Sequence, residues 1–158
     1  QLAQSEGPSV AVFDIAGFDT HADQGGDNGE HAKKLSQFDQ IIGTLEDELS
    51  SAFGDTIIVS LTEFGRTIDQ NGGSGTEHGY GSAILMAGGL LPKSKIIGDW
   101  PGLEKNNLFE GRDLDSTIDA RAVYASILAK VLDRDHKQVV KKAFFNANLP
   151  DMTQRIFG

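Results

Sequence analysis

Val10, Ala11, Val12, Phe13 and Ile15 form an apolar run interrupted only by Asp14, a pattern that suits a strand covered on both faces. Two comparable runs follow, Thr56–Leu61 and Ser82–Ala87. Between the first two, Leu35, Phe38, Ile42, Leu45 and Leu49 recur at spacings of three and four, with Lys33, Lys34, Gln37, Glu46, Asp47 and Glu48 mostly on the other side. That period predicts an amphipathic helix over residues 29–53, stopped by Gly54 and Asp55. A strand, helix, strand order calls for a right-handed crossover between parallel strands. The expectation is therefore an α/β chain in which 10–15, 56–61 and 82–87 share one mainly parallel sheet, with the 35–49 helix packed across it.

Further along, Asp115, Ser116, Thr117 and Asp119 offer N-caps for a helix through Leu132, whose apolar face is Ala120, Val123, Tyr124, Ile127, Leu128 and Val131. A shorter helix is predicted from Asp135, carrying Val139, Val140 and Phe144. Residues 146–158 read as a tail with a short strand at Arg155–Phe157, and residues 1–7 as a linker, leaving 8–145 as the domain. The stretches 16–29 and 72–75 are rich in glycine and predict loops with special backbone angles.

Composition narrows the chemistry. At 158 residues the chain can bury a core of its own. The net charge of -9 disfavours nonspecific binding to nucleic acid or to an anionic membrane surface, and makes a divalent cation the easier partner. With no cysteine, disulfides and thiolate sites are excluded, so any metal would take oxygen and imidazole ligands. No apolar run approaches the ~20 residues that cross a bilayer.

In an open α/β sheet, ligands bind where strands end at their carboxyl side. Asp19 and His21 follow the first predicted strand, Glu63 and Arg66 follow the second, and Glu77 and His78 precede the third. Two imidazoles with carboxylates drawn from three loops match zinc, manganese or another borderline divalent ion. The competing reading is that these acids cap backbone donors, as loop Asp and Glu commonly do. Arg66 could take a phosphate or sulfate, or be fixed by an acid such as Asp119; Arg121 has the same two readings, with the ion pair preferred. The glycines at 72–75 could cradle an anion, but a mobile turn is the simpler reading. Asp23, Asp27 and Glu30 do not keep a calcium-loop register. His31 and His136 stand at helix starts and read as surface residues, and Trp100 as a cleft wall or a core corner. There is no Gly-x-Ser-x-Gly elbow.

Taken in order, Phe18-Asp19-Thr20-His21, Glu63-Phe64-Gly65-Arg66, Gly75-Thr76-Glu77-His78-Gly79, Trp100-Pro101-Gly102-Leu103 and Asp119-Ala120-Arg121 resemble a bacterial domain-of-unknown-function family, number fifteen-oh-one. That family looks related to the alkaline phosphatase and sulfatase superfamily, of which this chain resembles the C-terminal half. The resemblance implies a three-layer α/β/α fold, an extracytoplasmic or periplasmic location, and metal ligands at strand ends. By position, Asp19, His21, Glu63 and His78 would be those ligands. Phe64 stands where the superfamily has a ligand histidine, and the superfamily's nucleophile belongs to an N-terminal half outside these residues.

Two functions are therefore set against each other. One is a metal-dependent hydrolase-like domain for phosphate or sulfate esters of a small molecule or polysaccharide, with Arg66 on the anion and catalysis complete only in a longer protein. The other is a noncatalytic binding or interaction protein that keeps a degenerate form of the fold. A sheet edge normally covered by the missing half would pair with a second copy.

Overall fold

The computed structural model describes residues 9–158, so the predicted linker at 1–7 lies outside the described residues. The chain divides into two units, residues 1–90 with 103–115, and residues 91–102 with 116–158.

In the first unit, helix α1 covers Glu30–Leu49. Its apolar stripe is the predicted one, yet Leu49 is its only fully buried residue and Leu35 is 46% exposed. Ser50 takes φ 49° and breaks the α-helical ladder. A 3-10 helix, Ser50–Asp55, carries the chain onward. The donated bond from Thr56 Oγ1 to the Ala52 carbonyl at 2.8 Å fixes its exit.

The strands are short and pair antiparallel. Strand β1 (Ile58–Val59) pairs with β4 (Met86–Ala87), and β2 (Gly65–Arg66) with β3 (His78–Gly79). The β1/β4 pairing is continued by Ser60 N donating to Leu85 O at 2.9 Å and by Leu90 N donating to Thr56 O at 3.2 Å. The predicted runs 56–61 and 82–87 thus meet each other, but in the opposite sense to the one a crossover would give. The run 10–15 joins no ladder among the described residues, and Val12 is 88% exposed there. A six-residue apolar run specifies that it wants covering; it does not specify which segment covers it or in which direction.

The β2/β3 pair positions the site. Its register sets Gly65 opposite Gly79 and Arg66 opposite His78. A Cβ on Gly65 would lie 1.9 Å from the Gly81 carbonyl oxygen, so this close approach of backbones admits only glycine. On the far side of β3, residues 20–24 run along 73–76: Thr76 N donates to Thr20 O, and Gln24 N to Ser74 O. The loop after Phe18 and the glycine-rich loop are thereby laid side by side with β2.

The second unit is helical. Helix α2 (Ala120–Val131) starts at Asp119, whose carboxylate accepts from Arg121 N at 2.9 Å. Helix α3 (His136–Ala143) starts at Asp135, which accepts from Gln138 N at 3.1 Å. Both caps and the apolar face of α3 follow the sequence pattern. Helix α2 buries Ala122, Val123, Ala125, Ser126, Ile127 and Ala129, so of its predicted face only Val123 and Ile127 are buried, and Val131 is exposed. Ala125 and Ala129 meet Val139 and Val140 in the core, where small side chains on α2 allow close packing. The predicted strand at Arg155–Phe157 is instead part of a short helix, α4 (Thr153–Phe157). Asp151 turns the chain into that helix by accepting from Thr153 N at 2.9 Å. Buried Ser126 anchors it, its Oγ accepting from Met152 N at 2.8 Å while donating to Ala122 O. An Asp-x-Thr start was the available signal for a helix in this tail.

Candidate functional site

Asp19, His21 and His78 come together at one point. Asp19 Oδ1 lies 3.1 Å from His21 Nε2 and 3.1 Å from His78 Nε2, and the two imidazole Nε2 atoms are 3.2 Å apart. Two donors bound at ~2.0–2.1 Å to one tetrahedral ion would stand roughly 3.3 Å apart. The triangle therefore has nearly the dimensions of one face of a coordination tetrahedron. All three residues are exposed, at 42–56% of their side-chain surface, so the opposite face is open.

Proton accounting narrows what the triangle can hold. Glu77 Oε2 lies 2.8 Å from His21 Nδ1. A carboxylate accepts, so Nδ1 carries a hydrogen; whenever the ring is neutral, Nε2 presents a lone pair. That lone pair faces the Asp19 oxygen and His78 Nε2. Three electron-rich atoms thus converge with at most one imidazole hydrogen among them while both rings are neutral. Arg66 Nη1 already donates to the Asp19 oxygen; a divalent cation would face all three atoms at once, which a single imidazole N–H cannot do. These residues fit a metal.

Arg66 sets Asp19 in place. Its Nη1 donates to Asp19 Oδ1, its Nε to Thr76 Oγ1 at 3.0 Å, and its Nη2 to the carbonyls of Thr20 (3.2 Å) and Thr76. Desolvation pushes the Asp19 carboxyl upward. The Arg66 hydrogen bond, the electrostatic pull of His21 and the His78 hydrogen bond outweigh it, and the carboxyl sits below its ordinary value. Glu77 is likewise lowered, first by a hydrogen bond from Asn71 and then by one from His21.

Phe64 stacks on His78, with ring centroids 3.8 Å apart and planes 19° from parallel. Phe64 therefore holds the His78 ring by its face. Glu63, the fourth expected ligand, lies outside the cluster of mutually close ligand atoms. It sits in the turn before β2, where Thr62 Oγ1 donates to Phe64 O at 3.0 Å. Its place in the ligand set was an inference by position alone. Arg66 is paired with an acid, as one reading of the sequence allowed, but the acid is Asp19 and not Asp119. Asp119 takes Arg121, through Nη2 at 2.6 Å, which was the preferred reading of that pair.

Thr76 and Gln24 were missed. Thr76 Oγ1 accepts from Arg66 and donates to Gln24 Oε1 at 2.9 Å, and Thr20 Oγ1 donates to the same oxygen at 3.0 Å. Only their neighbourhood to the Asp-x-His and Glu-His pairs could have marked them. His31 and His136 are partly covered, each with one buried ring nitrogen, Nδ1 and Nε2 respectively, outside hydrogen-bond range of any partner. Trp100 is 68% exposed and closes no core corner.

The site is thus a two-histidine, one-aspartate cluster backed by a carboxylate and an arginine, carried on paired antiparallel segments. The chain belongs to the family described as "Protein of unknown function (DUF1501)", whose model matches residues 1–144. No curated protein and no solved structure matches it. No helix among the described residues is long and apolar enough to cross a membrane.

Proposed function

We propose that Asp19, His21 and His78 hold one divalent ion, and that the chain is part of a metal-dependent hydrolase-like protein acting on phosphate or sulfate esters. The observation that carries this reading is the triangle of three ligand atoms at 3.1–3.2 Å with its outer face open. Sites with three protein ligands and an open position are the catalytic pattern, whereas structural zinc sites are closed by four. A divalent ion bound there would supply Lewis-acid polarisation to an ester oxygen. Within the chain, Glu77 keeps the His21 lone pair on the outward nitrogen, Arg66 keeps Asp19 ionised, and Phe64 fixes the plane of His78. The ester class and the link to the alkaline phosphatase and sulfatase superfamily, with its three-layer fold, rest on the order of the sequence motifs. An anion would have to share Arg66 with Asp19, Thr20 and Thr76.

A second reading, a noncatalytic binding protein that uses the ion as a clamp, is favoured by one feature: Arg66 already serves Asp19. Calorimetric titration with zinc, manganese and ferrous iron, all suited to imidazole and carboxylate, is to be run on the wild type and His78→Ala. Turnover of aryl phosphate or aryl sulfate is assayed beside it. Metal-dependent turnover abolished in His78→Ala supports the hydrolase. Metal binding that raises the melting temperature without turnover, in this chain and in a longer form of the protein, supports the clamp. Absence of binding in the wild type refutes both.

A further inference from the structure

We infer that Asn71, at the mouth of the glycine-rich loop, is the positioning residue that fixes which nitrogen of His21 faces the metal site; this rests on the metal reading above. Asn71 has all four of its side-chain hydrogen-bond positions in use. Its Oδ1 accepts from Gly73 N at 2.9 Å and from Gly75 N at 3.0 Å. Two backbone donors on one side leave no doubt which end of the amide is the oxygen, so Nδ2 points the other way. There it donates to the His21 carbonyl at 2.8 Å and to Glu77 Oε1. One side chain therefore grips the His21 backbone and the carboxylate that grips the His21 ring.

The consequence is a relay with a defined direction. Asn71 holds Oε1 of Glu77, which turns Oε2 onto His21 Nδ1 at 2.8 Å. In the neutral ring the hydrogen then resides on Nδ1, and Nε2 is left as the lone pair aimed at Asp19 and His78. The loop itself is shaped for this. Asn71 N donates to Gly75 O at 2.9 Å, closing the turn, and a Cβ on Gly75 would lie 2.3 Å from the His21 carbonyl carbon. The glycines that looked like an anion cradle serve to bring Asn71 and the backbone of His21 into contact.

Asn71 acts through Glu77, so the two must be coupled. Partners of this kind, one step removed from the metal, alter its affinity by about 10–100-fold. The test uses Asn71→Ala, Asn71→Asp, Glu77→Gln and the double variant Asn71→Ala/Glu77→Gln. The first readout is the His21 tautomer, from long-range nitrogen-proton NMR correlations on metal-free protein. The second is zinc affinity by calorimetry. At a pH where the ring is neutral, His21 of the wild type should be the Nδ1–H tautomer. Asn71→Asp, which turns an oxygen toward Glu77, and Asn71→Ala should each mix the tautomers and weaken zinc binding at least tenfold. The double variant should lose no more than Glu77→Gln alone.

An unchanged tautomer in both Asn71 variants, or losses that simply add in the double variant, would overturn the proposal and leave Asn71 as a turn residue. Glu77→Gln leaves the turn bonds of Asn71 in place, so it reports on the relay even where an Asn71 variant fails to fold. There, retention of the wild-type tautomer would equally overturn it. Because the tautomer is read without metal, a wild type that binds no zinc defeats the proposed function and leaves the relay separately decided.

Discussion

Phe64 and His78 lie face to face, their ring centroids 3.8 Å apart, Phe64 immediately before β2 and His78 in β3. The stack holds the imidazole by its face while Nε2 meets Asp19 and His21 at the edge. Removing it should not remove a proposed ligand; it should let His78 rotate away. Stacked rings contribute about 0.5–1.5 kcal/mol beyond area burial. Phe64→Ala is expected to weaken zinc binding roughly three- to tenfold, in line with that energy, and Phe64→Tyr to preserve it, both by calorimetry. An unchanged affinity in Phe64→Ala would show that His78 is held by other means.

Arg66 carries two incompatible expectations that one variant separates. As the strut seen here, it donates to Asp19, Thr76 and Thr20 from a side chain only 21% exposed. Hydrogen bonds to charged groups are worth about 1.5–3 kcal/mol. Arg66→Lys cannot reproduce the fork and should lower stability by about 2 kcal/mol in urea unfolding. A residue reserved for substrate would leave the urea midpoint unchanged and raise KM alone.

Asp119 gives a pH signature in the helical unit. Its carboxyl is held low by the Arg121 side chain first, against desolvation, with a further contribution from the Arg121 backbone N–H. A depressed folded-state value means stability that is present above the unfolded value of ~3.9 and lost as pH falls through the folded one. Asp119→Ala should therefore be less stable by about 1 kcal/mol at pH 7, the usual cost of an N-cap. Thermal melts from pH 7 to pH 2 should show the two proteins converging at the acidic end. A gap that persists at pH 2 would mean the loss is one of packing.

Ser126 is fully buried and joins α2 to α4 through the Met152 N–H. Ser126→Ala leaves that backbone donor without its partner, at a cost of about 1–3 kcal/mol. The expected outcome is a lower melting temperature with faster hydrogen exchange at Met152 and Ile156. Slow exchange retained there would show that α4 is held by Ile156 packing alone.

Local signals settled a good part of this molecule. The three-and-four spacing through Leu49 and the carboxylates at Asp119 and Asp135 determined three helices, because period and capping are properties of neighbours in the chain. The Asp19-x-His21 and Glu77-His78 pairs marked residues of the candidate site, because few residue types can bind a cation. Only tertiary structure decided the rest. Whether Thr56–Leu61 pairs parallel or antiparallel, and whether Val10–Ile15 pairs at all, depends on a partner strand that an apolar run does not name. Whether Arg66 meets an acid of its own site, whether Glu63 reaches that site, and which nitrogen of His21 faces it depend on the register that sets Arg66 opposite His78 and on the turn that seats Asn71 against His21. Those are contacts between segments up to 59 residues apart, and hydrogen-bond geometry at such separations is fixed by the fold, not by the spacing of letters.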